Sequence, residues 1–514
     1  MHSSFSPFFV SSRNILPFLC LVFAHFLFPL NDAHPAPNSS RPNILFIAID
    51  DLRPELGCYG NKDIHSPNLD KLAKQGRCFL RAYCQEAICS PSRASLLTGS
   101  RPDTIGVIEN RAYFRDLNPQ IVTLPQHFIT HGYTAVYSGK IFHGRMTDEQ
   151  HSWNHKPNRK GLTRPTTPGG NALPGNQRTY AENKDRMVTL YGESSSRGLI
   201  HGPAFEAAQV EDDGYVDGYN TSVAIQTLDE LVQQDKPWFI ALGFVRPHLP
   251  FHAPKKYFDL YDPEEIQLPT FSEPPQNGAS MGLHASFELR TRHGIPKSGP
   301  LNDLLSRKLL HAYYACVSYV DAQIGRIITA IEKNRVRDNT IIVVWGDHGW
   351  HLGEYGIWGK ATNYEIATRV PLIICTPSMS QKGTPTDSLV ELIDIYPTLC
   401  DLIDIPLPNH LEGNSLAALL EKPNCHWDGV ALTTHGYRNH AIRDGQFRYI
   451  RYADLSEELY DHTTDPYEFT NLANDETMIA TKRRLAAFLP KNETPPKPIS
   501  RKKNKRKKPN LLTD

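Results

Sequence analysis

The sequence predicts an α/β protein built on a mainly parallel β-sheet that helices flank on both faces. Long apolar runs are typical of parallel strands that are buried on both sides. Such runs occur at residues 43–49, 238–244, 340–345 and 370–375. Helical segments are predicted between them, at residues 67–75, 92–97 and 304–333. Alternation of strands with helices is the pattern of a parallel sheet covered on both faces.

Two of the predicted helices have specific sequence support. The segment 67–75 follows Ser66, and serine is a preferred residue at helix N-termini. Within 304–333, apolar residues recur at helical spacing between Leu309 and Ile331.

Two stretches, 144–214 and 272–300, have few apolar runs and are predicted to be long loops. Long loops in compact domains often border active sites, so these stretches are expected to shape access to a site.

The character of the sequence changes near residue 425. Short strands are predicted at 430–434 and 447–452, followed by turns at 458–461 and 465–468. This pattern indicates a main domain over residues 40–424 and a smaller C-terminal α+β subdomain over residues 425–490.

Composition excludes several classes of protein. The chain has 514 residues, of which 40% are hydrophobic and 21% charged, so collagen-like, coiled-coil and wholly disordered chains are excluded. Lys and Arg balance Asp and Glu at 55 each, yet seven basic residues lie in 501–508. The remainder is therefore acidic, which argues against binding of nucleic acid. Residues 491–514 are predicted to form a basic disordered tail that could bind a polyanion.

The N-terminus has the features of an export signal. Arg13 precedes an apolar run at 15–30 that is short and interrupted by prolines, so residues 1–33 are predicted to be a signal peptide. An uncleaved anchor is the alternative. No other stretch reaches membrane-spanning length, and we expect an exported protein without a stable membrane span. Its location would be periplasmic, secreted or lysosomal, according to the host.

Polar residues follow the ends of the predicted strands. Asp50 and Asp51 come after the first strand, Asp347 and His348 follow the run at 340–345, and His248 follows another run by a few residues. In open α/β sheets, ligands bind outside the carboxyl ends of the strands. We therefore expect these side chains to meet in one site.

The segment 89–99, CSPSRASLLTG, matches the pattern C-x-P-S-R-x-x-x-L-T-G and resembles the signature of type I sulfatases. The resemblance implies an alkaline phosphatase-like fold, with residues 40–424 as the sulfatase catalytic domain. It also implies that a formylglycine-generating or equivalent maturation enzyme oxidises Cys89 to formylglycine. Arg93, one helical turn further on, would fix this side chain and offset developing charge.

Formylglycine suits the cleavage of a sulfate ester. Its hydrated aldehyde carries two hydroxyl groups, of which one attacks sulfur to form a covalent sulfate ester. The second then expels sulfate and regenerates the aldehyde, a release step that serine lacks.

The resemblance further implies one Ca²⁺ ion, held by Asp50, Asp51, Cys89, Asp347 and His348. A site rich in carboxylate oxygens favours Ca²⁺ or Mg²⁺, whereas mixed Cys and His ligands would favour zinc. The ion would polarise a sulfate oxygen and favour the ionised nucleophile.

Cationic residues complete the predicted site. Lys140 and His143 resemble the sulfatase G-K-x-x-H segment, which contacts the sulfate or the nucleophile. His248 resembles the histidine that donates a proton to the leaving oxygen, and Lys360 the lysine that binds the sulfate. Arg246 stands where the family pattern has lysine, and is a further candidate for binding substrate. Several positive donors would stabilise the charge on the sulfonyl oxygens in the transition state.

The segment 350–360, together with His348, resembles the iduronate-2-sulfatase branch of the family. The resemblance predicts a sulfated saccharide as substrate, cleaved at the 2-O-sulfate of a terminal uronic acid. Recognition of the sugar carboxylate should need a cation, for which the stretch 144–214 offers Arg145, His151, His155, Lys156, Arg159 and Lys160.

The sequence motifs are also compatible with other functions. Some phosphodiesterases and phosphonate monoester hydrolases share the formylglycine signature, and related sulfatases act on choline sulfate or algal polysaccharides. In an inactive glycan-binding protein, catalytic residues would be replaced, and none of the predicted catalytic residues is replaced here.

Overall fold

The computed structural model describes residues 41–144, 146–196 and 198–491. The predicted signal peptide and all but the first residue of the predicted basic tail lie outside these ranges. Within them, no helix combines the length and apolar character needed to cross a membrane.

The strands of the described chain form one large sheet and three small ones. In chain order they are β1 Asn43–Asp50, β2 Arg77–Tyr83, β3 Thr134–Gly139, β4 Phe205–Ala208, β5 Trp238–Pro247, β6 Phe251–Pro254, β7 Thr340–Gly346, β8 His351–Leu352, β9 Trp358–Gly359, β10 Arg369–Cys375, β11 Thr386–Glu391, β12 Ala431–Thr434, β13 His440–Arg443, β14 Phe447–Arg451 and β15 Glu457–Asp461.

The α-helices of the same residues range from one turn to more than eight turns. They are α1 Pro67–Gln75, α2 Cys89–Thr98, α3 Pro102–Ile105, α4 Phe114–Leu117, α5 Leu124–Thr130, α6 Glu149–Ser152, α7 Pro174–Ser196, α8 Val216–Leu231, α9 Lys255–Phe258, α10 Phe287–Arg290, α11 Asp303–Lys333, α12 Glu365–Thr368, α13 Ile395–Leu402, α14 Ala417–Glu421 and α15 Ile479–Ala486.

The large sheet has seven strands in the order β11–β2–β10–β7–β1–β5–β3. Its strands β7, β1, β5 and β3 are mutually parallel, which confirms the predicted mainly parallel sheet. The prediction of a parallel strand at 370–375 is wrong, because β10 runs antiparallel to both of its neighbours. An apolar run indicates burial on both faces, and that burial is the same for either strand direction.

The core lies on both faces of this sheet. Along β1, Leu45 and Ile47 pack into one layer with residues of α8 and α11, while Ile44 and Phe46 pack into the other with residues of α2, α5 and α13. Successive side chains of a strand point to opposite faces, so an all-apolar strand requires a helical layer on each side. The central position of β1 fixes the point at which its last residue, Asp50, leaves the sheet.

The predicted helices are confirmed with small changes in their bounds. Helix α1 occupies residues 67–75 as predicted, and α11 begins one residue earlier than predicted. Helix α2 begins at Cys89 rather than at Ser92, so the cysteine itself is the first helical residue.

The loop prediction for residues 144–214 is wrong in part. This stretch contains α7 and the short strand β4. Most residues of α7 are exposed, so the helix lacks the apolar stripe by which an amphipathic helix is recognised in sequence. The stretch 272–300 is mainly irregular, as predicted, and contains the single-turn helix α10.

The C-terminal part forms an antiparallel sheet in the order β12–β13–β14–β15, followed by α15. This arrangement confirms the predicted α+β character. The turn predicted at 458–461 is wrong because these residues belong to β15, and β13 was not predicted. The boundary at residues 424–425 stays a prediction.

Candidate active site

The parallel pairing of β1 and β7 brings the acidic strand ends together. Ile49 pairs with Gly346, and the backbone N–H of Asp347 donates to the carbonyl oxygen of Ile49 at 3.1 Å. The backbone N–H of Asp51 in turn donates to Oδ1 of Asp347 at 3.0 Å. Asp50, Asp51 and Asp347 are all fully buried. The strand-end rule thus places these three carboxylates in one site, as predicted.

Cys89 begins helix α2 and faces these strand ends. Its Sγ lies 3.3 Å from Nε2 of His348 and 3.5 Å from Nζ of Lys360. The residue is 1% exposed, and every residue of α2 is buried. Residues from α2, from the end of β7 and from beyond β9 therefore meet at one sulfur atom.

A group of potential metal ligands surrounds Cys89. Ligand atoms of Asp50, Cys89, Asp347 and His348 all lie within 4.8 Å of one another, and Oδ1 of Asp51 is 3.5 Å from Nε2 of His348. The buried Oδ2 of Asp51 has no hydrogen-bond partner. An unpartnered carboxylate oxygen in a carboxylate-rich cluster fits a divalent cation that prefers oxygen ligands. The residues predicted to bind metal are thus together and fit such an ion.

Arg93 links the acidic residues to one another. Its Nε donates to Oδ2 of Asp347 at 2.7 Å, and its Nη2 lies 3.3 Å from Oδ1 of Asp50. Nη1 donates to the carbonyl oxygen of Ile141 at 3.0 Å. These contacts orient both carboxylates towards Cys89.

Two lysines also contact the carboxylates. Lys140 binds Oδ2 of Asp50, and Lys360 binds Oδ1 of Asp51 at 2.7 Å. Burial alone would raise the pKa of Asp50, but Lys140, His248 and Arg93 outweigh it and hold that pKa well below its usual value. Burial raises the pKa of Asp51 well above its usual value, Asp50 adds to the rise, and Lys360 opposes it. The two neighbouring carboxylates therefore differ in their affinity for a proton.

A glycine positions Lys140. Gly139 ends β3 with φ of 83°, and a Cβ atom there would lie 1.9 Å from the carbonyl oxygen of Gly243. That same oxygen accepts the backbone N–H of Lys140 at 3.0 Å. Only glycine permits this approach, and it directs the next side chain to Asp50.

Histidines 143 and 248 have lowered pKa values. Burial, with Lys140 nearby, lowers the pKa of His143 to about 4. Burial and the ammonium group of Lys360 lower the pKa of His248 to about 3, with Glu288 opposing both effects. Nδ1 of His248 lies 2.6 Å from the carbonyl oxygen of Leu249, so Nδ1 carries a hydrogen and Nε2 is left to face the site.

The structure adds Glu288, which the sequence analysis missed. Its carboxylate lies 3.1 Å from Nε2 of His248 and 3.5 Å from Nζ of Lys360. Glu288 belongs to α10, within the predicted loop 272–300. No motif marks it, and the only signal in the sequence was the expectation that this loop borders the site.

A cavity of about 660 Å³ opens beside these residues. Lys140, His143 and His248 line it, together with Arg159 and Arg164. Several cations in 144–214 were predicted to contact a sugar carboxylate. Among those that the structure describes, only Arg159 lines this cavity. Arg164 also lines it but was not predicted. His155 instead pairs with Glu230 at 3.2 Å, and Arg145 lies outside the described residues.

Comparisons with known proteins agree with the motifs. The family profile "Sulfatase" matches residues 42–405, and the profile "N-sulphoglucosamine sulphohydrolase, C-terminal" matches residues 353–494. A sulfatase of Formosa agariphila is 34% identical over 88% of this chain and 87% of its own length. The iduronate 2-sulfatase of Mus musculus is 33% identical over 71% of this chain and 69% of its own length.

Solved structures of similar fold include a phosphonate monoester hydrolase of Agrobacterium radiobacter. It superposes with a TM-score of 0.66 at 26% identity, over 87% of this chain and 94% of its own. The structure of a 2-O GAG sulfatase also superposes, with a TM-score of 0.61 at 23% identity over 87% of this chain and 91% of its own, which confirms the predicted alkaline phosphatase-like fold.

Proposed function

The chain belongs to the sulfatase family and is a sulfuric ester hydrolase, and on that premise we propose that it removes the 2-O-sulfate from a terminal uronic acid of sulfated glycans. The observation that carries the proposal is the cavity in which Lys140, His143 and His248 stand with Arg159 and Arg164. The cavity has a cation, Lys140, beside the reacting groups and two exposed arginines, Arg159 and Arg164, nearer to solvent. Such an arrangement suits a substrate that carries more than one anionic group. The iduronate 2-sulfatases among its relatives support the same choice.

We propose that residue 89 acts as formylglycine, produced from Cys89 by a maturation enzyme. The hydrated aldehyde would supply one hydroxyl as nucleophile and a second for release of sulfate. Its position at the start of α2, within hydrogen-bonding distance of His348 and Lys360, supports this role. Export of the chain, through the predicted signal peptide, is a further part of the proposal.

We propose one Ca²⁺ ion as the cation held by Asp50, Asp51, Asp347, His348 and residue 89. The ion would stabilise negative charge on the nucleophile and on a sulfate oxygen. The three carboxylates support an oxygen-preferring metal, and Arg93 aligns two of them, Asp50 and Asp347.

Protein side chains would then bind the sulfate and supply a proton. Lys140 and Lys360 carry fixed positive charges at the site and would bind the sulfonyl oxygens. His248 would protonate the leaving oxygen through Nε2, since its Nδ1 is engaged by Leu249. His143 lines the cavity beside Lys140 and would contact the bound sulfate.

A second candidate is a formylglycine-dependent phosphodiesterase or phosphonate monoester hydrolase. The structural similarity to the phosphonate monoester hydrolase of Agrobacterium radiobacter supports this second candidate. The values of kcat/KM on an aryl sulfate and on a phosphate diester decide between the two. We expect the sulfate ester to be the better substrate, and a preference for the diester would reject the sulfatase proposal.

The substrate is tested on protein whose residue 89 has been verified by intact mass and peptide mapping. A disaccharide ending in a 2-O-sulfated uronate is compared with choline sulfate, a neutral sugar sulfate and a sulfated algal oligosaccharide. We expect the uronate substrate to have the highest kcat/KM. Efficient turnover of another ester, with none of the uronate, would reject the specificity and leave the sulfatase assignment standing.

A further inference from the structure

Two buried arginines lie near His248. Arg246 belongs to the end of β5 and is 6% exposed, while Arg292 follows α10 and is 8% exposed. Nη1 of Arg246 donates to the carbonyl oxygen of His248 at 2.7 Å. Arg292 lies four residues after Glu288, whose carboxylate contacts the same histidine. Both arginines are therefore connected to the proposed proton donor.

Arg292 differs from other buried arginines of the described chain. Arg77 donates to five backbone carbonyl oxygens, and Arg448 pairs with both Glu365 and Glu468. The side chain of Arg292 donates no hydrogen bond to any described residue, and no carboxylate oxygen of the described chain lies within 4.0 Å of it. Its Nε is buried without a partner, as is Nε of Arg246. Its two terminal nitrogens are not among the buried unpartnered atoms, so they reach water-accessible space.

This arrangement leaves an excess of positive charge. The pKa of Arg292 is lowered to about 10, chiefly by burial; Glu288 opposes this lowering, and the like charge of Arg246 adds to it. Glu288 already contacts His248 and Lys360, and Asp217 accepts the backbone N–H groups of Val245 and Arg246. Both carboxylates act on the arginines at longer range, but neither forms an ion pair within 4.0 Å with their guanidinium groups. A buried guanidinium without a partner is costly, and an anion that reached it would satisfy donors that the protein leaves free.

We propose that Arg292, with Arg246, forms a subsite that binds the carboxylate of the uronic acid whose sulfate is cleaved. The inference rests on the proposed function and deepens it. A guanidinium presents parallel donors that match a planar carboxylate in a bidentate manner. A uronic acid carries its carboxylate on the same ring as the 2-O-sulfate. The subsite would thus bind the carboxylate at one edge of the sugar ring, while His248 protonates the leaving oxygen at the opposite edge.

The test compares two disaccharides that differ only at the sugar carboxyl group. One ends in a 2-O-sulfated uronate, and the other is its carboxyl-reduced counterpart with a hydroxymethyl group. For the wild-type enzyme we expect kcat/KM to favour the uronate by about 10- to 100-fold, the range of a charge-assisted hydrogen-bonded pair. In Arg292→Gln this ratio should fall towards one, chiefly through a higher KM for the uronate. Arg292→Lys keeps the positive charge but loses the paired donors of the guanidinium group. Its ratio should lie between those of the wild type and Arg292→Gln.

A matched control uses Arg186→Gln, which removes an exposed arginine of α7 and should leave the ratio at its wild-type value. A wild-type ratio near one, or an equal loss on both disaccharides in Arg292→Gln, would overturn the subsite.

Failure of the proposed function is recognised separately, by a wild-type enzyme that hydrolyses 4-nitrophenyl sulfate but no uronate sulfate. The subsite is then tested by inhibition of 4-nitrophenyl sulfate hydrolysis with free glucuronate and with glucose. We expect glucuronate to inhibit the wild type and to inhibit Arg292→Gln at least about 10-fold more weakly. Equal inhibition of the two proteins would reject the subsite.

Discussion

The carboxylate of Glu288 lies 3.1 Å from Nε2 of His248, the ring nitrogen that faces the reacting groups. Because Nδ1 donates to the carbonyl oxygen of Leu249, a neutral ring would present a lone pair to a carboxylate oxygen. The negative charge of Glu288 opposes the lowering of the pKa of His248 by burial and Lys360, and so favours the protonated ring. Glu288 is thereby a positioning residue that orients the proposed proton donor and raises its affinity for the proton.

Glu288→Gln should lower kcat/KM most for esters with poor leaving groups. A sugar alkoxide needs protonation as it leaves, whereas 4-nitrophenolate does not. We expect a loss of about 10- to 100-fold on a sugar sulfate and a much smaller loss on 4-nitrophenyl sulfate. The control is Glu264→Gln, an exposed glutamate on the surface. Equal losses on both esters would assign Glu288 a purely structural role.

Cys89→Ala should abolish turnover because alanine cannot provide a hydrated aldehyde. Protein expressed without a converting enzyme should be equally inactive, for the same reason. Thermal unfolding should remain cooperative in both. The measurement is sulfate release alongside peptide mapping of residue 89, and full activity in a protein that retains the thiol would contradict the mechanism.

Asp347→Ala should lose bound Ca²⁺ and activity together. The substitution removes a carboxylate within reach of the metal site and also leaves Nε of the buried Arg93 unpaired. Elemental analysis and kcat on an aryl sulfate provide the readout. Asp235→Ala removes an exposed carboxylate and serves as the control. An active variant that lacks calcium would refute the assigned metal.

Calcium affinity should fall as the pH is lowered from 8 to 5. The pKa of Asp51 is raised in the metal-free protein, so a proton competes with Ca²⁺ for this carboxylate up to a higher pH than it would for an ordinary aspartate. The rise in Tm on adding Ca²⁺ should therefore be larger at pH 8 than at pH 5. In Asp51→Asn, any remaining rise in Tm on adding Ca²⁺ should no longer depend on pH in this way. A shift of equal size at both pH values in the wild type would contradict the prediction.

Arg159→Ala combined with Arg164→Ala should raise KM for polyanionic oligosaccharides several-fold and leave KM for 4-nitrophenyl sulfate nearly constant. Both arginines are exposed and line the cavity, so they would act through long-range attraction that salt screens. The difference from wild type should disappear at high ionic strength. A loss that persists in high salt would indicate direct contacts instead.

Much of the site could be predicted because its residues belong to short segments with fixed geometry. Asp50 ends β1 and Asp347 directly follows the neighbouring parallel strand β7, so the parallel pairing brings them together. Cys89 and Arg93 lie one turn apart on α2, so their joint approach to these carboxylates follows from helix periodicity. Sheet topology was sufficient for the two carboxylates, whereas Cys89 and Arg93 were recognised by their resemblance to the sulfatase motif.

Glu288 and Arg292 could not be predicted in the same way. They belong to an irregular stretch whose path depends on packing against distant elements, and sequence periodicity carries no information about that path. The direction of β10 was missed for a related reason, since it depends on the connections between strands rather than on the composition of the strand. Helix α7 was missed because its exposed surface leaves no apolar stripe.

The burial of Cys89 restricts the order in which the proposed oxidation of this residue and the folding of the protein can occur. With only 1% of the residue exposed at the start of a fully buried helix, the proposed maturation enzyme would have no access to this segment once β1, β7 and α2 have packed together. The proposed oxidation of the side chain would therefore have to precede folding, while the segment is still an extended peptide. A molecule that folds first would keep its thiol, and only unfolding would make that thiol accessible to the enzyme again.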